Sequence, residues 1–196
     1  MKVSVLVPLV LLAPVSAWAA APSFNCGKAR STVEKMVCNS DALSKLDAKL
    51  DQIYTAALKE MTAADRAAEK RLQKRWLSER DACAGQEHAE NCASSRYEAR
   101  IAQLQIKAGQ VLVPAASPYD CPRSGSVTAY FYTEAQVPLA VLTIGKGKPV
   151  YATLAPSGSG AKYVADGVEF WSKDDAAILS VKGRPDEQCA AKAIDR

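Results

Sequence analysis

The sequence predicts an α+β protein built as two separate domains, a disulfide-bridged α-helical bundle followed by a small antiparallel β-barrel. Two observations lead to this prediction. Apolar residues recur at helical spacing in the first half, and short β-branched or aromatic runs alternate with turn signals in the second. Between the halves, VLVPAASPYDC replaces the helical pattern with Pro, Ala and Ser. We assign 22–110 to the helical domain, 111–118 to a linker and 119–196 to the barrel domain.

Residues 1–21 are typical of a secretory signal peptide. Lys2 supplies a positive start, residues 3–15 form an apolar run that is short for a membrane span, and SAWAAAPS offers small-residue cleavage sites. The segment SFN separates these sites from Cys26, whereas a lipoprotein carries its lipid on a cysteine directly after the cleavage site. We expect a protein that is exported to the periplasm, that is not a lipoprotein and that has no membrane anchor.

The helical half contains one short helix, in GKARSTVEKMV, and three long ones. Ser40 is a suitable N-cap for the first long helix, and Thr62 with Asp65 is close to a capping box for the second. The outward faces are rich in charged residues, which is typical of a solvated surface. The residues predicted to face the core are Leu43, Leu46, Leu50, Ile53, Tyr54, Ala57 and Leu58, then Ala68, Leu72 and Trp76, and finally Tyr97, Ile101 and Leu104.

Six cysteines in a chain that is predicted to be exported indicate disulfides. Cys26 and Cys38 flank the short first helix, and Cys83 and Cys92 flank the turn between the last two long helices. Four cysteines allow three connectivities. If the first two long helices pack antiparallel, the end of the second returns to the start of the first. On this basis we expect Cys38–Cys83 and Cys26–Cys92.

Beyond the linker, six segments have the composition of strands: VTAYFYTE, VPLAVLTIG, PVYATLA, AKYVA, VEFWS and AAILSVKG. Turn signals separate them at residues 145–148, 157–160 and 166–167. The pattern is typical of a small antiparallel barrel or sandwich, and we predict the barrel. Cys121 opens this half and Cys189 closes it, so we expect a Cys121–Cys189 bond that ties the first strand to the last.

The composition argues against several functional classes. His88 is the single histidine and lies in the polar stretch GQEHAENC, and there is no C-x-x-C pair. We therefore expect no zinc site, no Ser-His-Asp or Cys-His catalysis and no cofactor. The formal net charge of +4 becomes 4 − 1 = +3 when Lys2 leaves with the signal peptide. Such a field is too weak to indicate nucleic acid as a partner.

The stretch SGSGAKYVADGVEFWSK, residues 157–173, has two interpretations. Ser159 and Lys162 have the S-x-x-K spacing of acyl-serine enzymes. The flanking Gly158 and Gly160 and the strand-like AKYVA favour instead a polar loop before a strand, where residues three apart point to opposite faces. The S-D-N and K-T-G motifs of that enzyme class are absent, so we predict no catalytic residue. A further alternative is an envelope protein that binds glycan or another protein, with the loop as ordinary structure.

A longer pattern surrounds this loop. YDC opens the second half, SGSGAKY is followed across a short hairpin by VEFWSK, and a cysteine stands near the C-terminus. Over residues 119–190 this pattern resembles the MliC/PliC family of periplasmic inhibitors of c-type lysozyme. The helical half resembles the LprI-like N-terminal family through NCGKARSTVEKMVC, L-x-x-L-D from Leu43 to Asp47, W-L-x-x-R-D-x-C from Trp76 to Cys83, and C-x-x-x-x-Y-x-x-R-I-x-x-L from Cys92 to Leu104.

The resemblance to the MliC/PliC family implies that the loop enters the active-site cleft of a c-type lysozyme and so protects peptidoglycan. It implies that Ser159 hydrogen-bonds the catalytic carboxyl groups and that Lys173 approaches the catalytic aspartate. Tyr163 and Trp171 are expected to support the loop or to contact lysozyme, and Lys162 is expected at the rim or in solvent. The residues implied in lysozyme binding are Ser157, Gly158, Ser159, Gly160, Ala161, Lys162, Tyr163, Trp171 and Lys173. We infer no functional residue in the helical half.

One position departs from the family motif W-[ST]-K-G-[DE], because Lys173 is followed by Asp174. Aspartate tolerates left-handed backbone geometry, so we expect the turn to survive. Its carboxylate is expected either to pair with Lys173 or to repel the catalytic aspartate of lysozyme. From residue 117 onward nine Lys/Arg balance nine Asp/Glu, so we expect little long-range attraction of a basic lysozyme.

Overall fold

The computed structural model describes residues 21–192, so the predicted signal peptide, apart from Ala21, lies outside the described residues. The helices are α1 (Thr32–Asn39), α2 (Asp41–Glu60), α3 (Ala63–Asp81) and α4 (Ala89–Lys107), with short 3-10 helices at Cys26–Lys28 and Ala82–Gly85. The strands are β1 (Ser117–Cys121), β2 (Gly125–Tyr132), β3 (Leu139–Ile144), β4 (Val150–Ala155), β5 (Ala161–Ala165), β6 (Val168–Lys173), β7 (Ala176–Val181) and β8 (Glu187–Ala191). Within this range, no helix combines the length and the apolar character needed to cross a membrane.

Side-chain caps begin the helices. Ser40 Oγ accepts a hydrogen bond from a backbone amide in the first turn of α2, and Thr62 Oγ1 accepts one from Asp65 N in α3, as the sequence predicts. A capping box that was not predicted begins α1, where Ser31 Oγ accepts from Glu34 N and the Glu34 carboxylate accepts from Ser31 N. These bonds satisfy amides that a helix leaves without an internal partner.

The apolar stripes predicted on α2 and α4, together with Trp76 of α3, form the core of the bundle. The predicted core residues Leu58, Ala68 and Leu72 are half-buried and are not part of this core. Trp76 packs edge-on against Tyr97, with ring centroids 5.1 Å apart. The apolar side chains that are buried in this core are Val33, Val37, Leu43, Leu50, Ala57, Trp76, Cys83, Ala93, Tyr97, Ile101 and Leu104. The predicted core positions Leu46, Ile53 and Tyr54 are half-buried against it.

A buried chain of hydrogen bonds crosses the bundle beside these apolar residues. Tyr97 Oη donates to Asp47 Oδ1 (2.8 Å) and accepts from Arg80 Nη1 (2.9 Å). Asp47 Oδ2 accepts from both the backbone N and the Oγ of Ser23, and Arg80 also donates to Asp81. Burial raises the pKa of Tyr97, so the phenol stays neutral and keeps its proton for Asp47. Every member therefore has a partner, which removes the main cost of burying polar groups.

A second buried cluster fixes α3 to α4. Arg100 donates to Glu69, Gln73 and Gln103, and Lys107 Nζ lies 2.8 Å from Glu69 Oε2. Burial opposes ionisation of Glu69, but the hydrogen bond from Lys107 and the charge of Arg100 lower its pKa overall. Glu69 is therefore ionised at neutral pH and binds both cations.

The disulfides of the helical domain differ from the prediction. The predicted Cys38–Cys83 and Cys26–Cys92 pairs are wrong, since the bonds join Cys26 to Cys38 and Cys83 to Cys92. The helix ends do meet as expected, because the 3-10 helix that contains Cys83 contacts α1. However, each cysteine has a nearer partner across a local chain reversal, with Cα atoms 5.8 and 5.6 Å apart, respectively. Each bond therefore closes a local chain reversal and does not link helices that are distant in sequence.

Eight antiparallel strands close a barrel in sequence order, with β1 paired to both β2 and β8. The six predicted strand segments correspond to β2 through β7, while β1 and β8 were not predicted as strands. β1 begins at Ser117, inside the predicted linker, and contains Pro118, which cannot donate to a ladder. Cys121 and Cys189 are bonded, and this bond ties β1 to β8 as the sequence suggests.

Aromatic rings and small apolar side chains fill the barrel. Tyr119 packs edge-on against Phe170, and Phe131 lies 5.2 Å from Tyr163 between ring centroids. Glu187 is buried near one end of the barrel, where its carboxylate accepts hydrogen bonds from Ser124 Oγ and from the backbone amides of residues 123 and 124. The hydrogen bond from Ser124 and those amides lower the pKa of Glu187.

The helical domain packs against the outer surface of the barrel at β3 and β4. α4 contacts β3, and the ammonium of Lys107 lies 5.3 Å from the ring centroid of Tyr151. Gln105 Oε1 accepts a hydrogen bond from Gln136 N (2.8 Å), and Lys49 Nζ donates to the Gln136 side chain. The Lys107 ammonium thus links the buried Glu69 of the bundle to the barrel.

We expect the Cys121–Cys189 bond to contribute more stability than the Cys83–Cys92 bond. The loops that they close span 68 and 9 residues, and the chain-entropy relation gives roughly 4.4 and 2.6 kcal/mol, respectively. Urea denaturation of the Cys121→Ala/Cys189→Ala and Cys83→Ala/Cys92→Ala variants measures both losses. A larger loss for the second variant would contradict the prediction.

Candidate functional site

Residues 156–160 connect β4 to β5 and form an exposed loop beside the end of β6. The pairing of β5 with β6 sets Ala161 opposite Ser172, so the end of the loop lies against Lys173. An ideal Cβ at Gly160 would lie 3.0 Å from Lys173 Cβ. The fold therefore brings the two sequence motifs, SGSG and WSK, to one place on the barrel surface.

Side chains hold the main chain of the loop in position. Trp171 Nε1 donates to Ser159 O (2.7 Å), and Ser157 Oγ donates to Gly160 O (3.0 Å). Ser172 Oγ donates to Ala161 O at the first residue of β5 (3.3 Å). These bonds fix backbone carbonyls and leave the Ser159 hydroxyl without a partner among residues 21–192.

Gly160 is required by the close approach of the loop to β6. Its φ is +65°, in the left-handed region that side chains disfavour. A Cβ at this position would also lie 2.4 Å from Ser172 O, which is a backbone atom and cannot rotate away. Gly158 differs from Gly160, because its φ is not positive and nothing lies within 4 Å of its Cβ position.

Asp174 and Asp175 form the tight turn between β6, which ends at Lys173, and β7. Asp174 has φ 51°, the single positive value at a non-glycine among the described residues. The turn survives without glycine as predicted, because aspartate tolerates this conformation better than most residues. Lys173 is exposed and forms no ion pair within residues 21–192, so the predicted pairing with Asp174 does not occur.

Two predicted site residues are engaged elsewhere. Lys162 Nζ lies 2.8 Å from Glu169 Oε1 on the neighbouring strand, which the two-residue turn at 166–167 places diagonally opposite. This pair was not predicted, although a two-residue turn at 166–167 implies the register that forms it. Tyr163 is buried in the barrel core against Phe131 and presents little surface to a partner protein. Its position is that of a support residue.

The S-x-x-K interpretation does not agree with this geometry. Lys162 lies on β5 and Ser159 on the loop before it, and the Lys162 ammonium is bound to Glu169. An acyl-serine enzyme needs the lysine amine against the serine hydroxyl, where it can take the proton. No such hydrogen bond joins Ser159 to Lys162 in the described chain.

An open concavity of about 600 Å³ adjoins the loop. Ser159, Trp171 and Lys173 line it together with Ile178, which is 40 % exposed. Trp171 and Ile178 are cross-strand neighbours on β6 and β7 and form a small exposed apolar surface. Three of the nine predicted contact residues therefore border a surface that combines a hydroxyl, an ammonium and apolar side chains.

We expect Gly160→Ala to lower the stability of the barrel by about 1–3 kcal/mol, because the methyl group must displace Ser172 O or force the left-handed backbone to change. Gly158→Ala is the matched control and is expected to change stability by less than about 0.5 kcal/mol. Urea denaturation of both variants measures the difference. Equal stabilities of the two variants would contradict the role assigned to Gly160.

Comparisons with known proteins agree with the two-part organisation. Residues 25–104 match the family described as lysozyme inhibitor LprI, and residues 119–188 match MliC, described as membrane-bound lysozyme-inhibitor of c-type lysozyme. The proteins called lipoprotein LprI from Mycobacterium tuberculosis (strain H37Rv) and Mycobacterium bovis are each 33% identical to this chain over 165 residues, which cover 84% of this chain and 82% of each relative. A crystal structure of Pseudomonas aeruginosa MliC in complex with hen egg white lysozyme matches with 24% identity and a TM-score of 0.35, covering 40% of this chain and 81% of that one. The identity to the mycobacterial relatives extends over most of both chains, and the chain belongs to the LprI family of lysozyme inhibitors, with an MliC region after its LprI region.

Proposed function

We propose that this protein inhibits c-type lysozyme by inserting the loop of residues 157–160, together with Lys173, into the active-site cleft of the enzyme. The observation that carries the proposal is the side-by-side display of a free hydroxyl and a free ammonium. Ser159 Oγ has no hydrogen-bond partner and Lys173 no ion-pair partner among the described residues, and both adjoin one concavity. Both families that match the chain are described as lysozyme inhibitors, and the MliC description specifies c-type lysozyme.

The chemistry of the target fits these two groups. Retaining glycosidases hold two carboxyl groups about 5–5.5 Å apart at the bottom of a groove, and one of them is protonated while the other is ionised. The Ser159 hydroxyl accepts from the protonated group and donates to the ionised one. The Lys173 ammonium forms a charge-assisted pair with the ionised group in a poorly hydrated groove.

The rigidity of the loop favours binding. Trp171 and Ser157 already fix the consecutive carbonyls of Ser159 and Gly160, so little conformational entropy remains to be lost when the loop enters the cleft. Because the barrel half is neutral overall, the affinity depends on this fit more than on long-range attraction. Trp171 and Ile178 supply apolar contact area around the polar tip.

We place this activity in the periplasm, where an inhibitor of lysozyme protects peptidoglycan. The support is the sequence of residues 1–21, which is typical of an exported chain, and the disulfide bonds, which persist in oxidising compartments. The mycobacterial relatives are named lipoproteins, whereas this chain has no cysteine directly after its predicted cleavage sites. Labelling the exported protein with a radioactive fatty acid, followed by gel electrophoresis, tests whether it carries a lipid.

Ser159→Ala/Lys173→Ala is expected to weaken inhibition of c-type lysozyme by at least about tenfold, because the variant loses hydrogen bonds to charged groups worth about 1.5–3 kcal/mol each. The measurement is the rate of peptidoglycan lysis by hen egg white lysozyme against inhibitor concentration. Ser180→Ala/Lys182→Ala is the matched control, because it makes the same changes at the other end of β7.

Either of two results would contradict the proposal. One is an absence of inhibition by the unaltered protein at micromolar concentration, and the other is equal inhibition by the double variant. Affinity for peptidoglycan fragments without lysozyme would then indicate the alternative of a glycan-binding envelope protein.

Asp174→Asn is expected to strengthen inhibition about two- to fivefold at low salt. The substitution removes the carboxylate beside Lys173, which repels the ionised carboxyl group of lysozyme. We expect this repulsion to cost about 0.5–1 kcal/mol of binding free energy. Asparagine also tolerates φ 51°, so the turn geometry is kept. The gain is expected to shrink as salt is added, and exposed Asp186, near the opposite end of the barrel, provides the control Asp186→Asn. A gain that is independent of salt would contradict the electrostatic explanation.

A further inference from the structure

α3 is attached to the bundle by few contacts and leaves about half of its surface uncovered. Only Glu69, Trp76 and Arg80 of its 19 residues are buried. The outer half carries Lys70, Arg71, Lys74 and Arg75, all exposed, and we call these four residues the basic face. At 3.6 residues per turn they occupy an arc of about 140° within two turns.

The charges of the basic face are not balanced within the described chain. Among its four cations, only Arg75 has an ion-pair partner, Glu79 at 3.6 Å, and that pair is largely exposed. The other acidic residues of α3 are used elsewhere, since Asp65 binds Thr62, Glu69 is buried against α4 and Asp81 binds Arg80. The face therefore presents a nearly pure positive field to solvent.

The clustering of like charges on the basic face destabilises α3. Lys70 and Lys74 are four residues apart, as are Arg71 and Arg75, and like charges at this spacing destabilise a helix by about 0.2–0.5 kcal/mol per pair. The helix has no apolar stripe strong enough to compensate, and it depends on buried polar bonds to α4. A local cost without a compensating contact inside the chain indicates a partner outside it.

We propose that the basic face docks this protein on an anionic phospholipid membrane surface. The four cations share one side of the helix, where the neighbouring Ala67 and Ser78 are small and exposed, so no large side chain covers the charges. Arg75, at the edge of the face, also lines a cavity between the bundle and the barrel. Leu77, 40 % exposed at its edge, adds one shallow apolar contact. The face contains no aromatic residue for stacking on bases, which argues against a single-stranded nucleic acid.

Docking through α3 leaves the proposed inhibitory loop accessible. The helical domain packs on β3 and β4, whereas Trp171 and Lys173 lie on β6 of the closed eight-stranded barrel. β6 is two strands from β4 and three from β3, so Lys173 lies outside the strands that the helical domain contacts. A protein bound at a membrane through α3 therefore keeps its loop directed at other partners.

The test is sedimentation of the exported chain with phosphatidylcholine vesicles that contain or lack phosphatidylglycerol. We expect binding to the anionic vesicles alone, and loss of that binding as salt rises. Lys70→Gln/Arg71→Gln/Lys74→Gln/Arg75→Gln should lower the partition coefficient at least about thirtyfold, because each basic residue near an anionic surface contributes about a fivefold factor. This variant should inhibit lysozyme normally in the absence of vesicles, so the inference and the proposed function can fail separately.

Lys146→Gln/Lys148→Gln/Lys182→Gln/Arg184→Gln is the matched control, because it removes four exposed charges from turns of the barrel. We expect it to bind anionic vesicles within about threefold of the unaltered protein. Thermal melting followed by circular dichroism verifies that both variants are folded. Equal losses in the two variants, or equal binding to neutral vesicles, would overturn the inference. Release of the protein by inorganic phosphate at the lipid-phosphate concentration would overturn it too and indicate a site for free phosphate.

Discussion

The register between β5 and β6 sets Ala161 opposite Ser172, and this pairing determines the position of every group in the proposed inhibitory site. It forces the end of the preceding loop against the backbone of Ser172, where only glycine fits at position 160. It also brings the Trp171 indole under Ser159 O. Barrel closure and the Cys121–Cys189 bond hold that register, because β6 cannot slide without moving the strands on both sides.

The residues that define the helical motif act mainly in the interior of the bundle. Asp47, Arg80 and Tyr97 meet in one buried hydrogen-bonded chain, and Arg100 binds Glu69 in another. Such networks contribute little net stability when they are compared with apolar packing, but a missing member leaves the others unsatisfied. The motif therefore specifies how α2, α3 and α4 pack, and this packing does not depend on the charged residues of the exposed surface of α3.

The sequence predicted the fold class and the interior helical and strand segments because their apolar periods are strong. It did not predict β1 and β8, because a proline and charged residues interrupt their alternation. The predicted disulfides of the helical domain were wrong. Antiparallel packing of the helices brings Cys38 and Cys83 to one region, but which cysteines are bonded depends on chain reversals that the spacing does not encode. Two sequence motifs were sufficient to predict that the loop and Lys173 belong to one site. The Lys162–Glu169 pair and the burial of Tyr163 could not be predicted without the strand register.

The distribution of charge separates two kinds of recognition along the chain. The barrel half has nine Lys/Arg and nine Asp/Glu, so its net field is small and its binding must come from short-range fit at the loop. In the helical domain, four of the cations lie on one exposed face of α3, where only Arg75 borders a cavity and long-range attraction dominates. A partner of the loop must therefore match its shape, whereas a partner of α3 needs only a dense negative surface. Salt weakens the second interaction far more than the first, because screening acts on exposed charges and hardly on a buried contact.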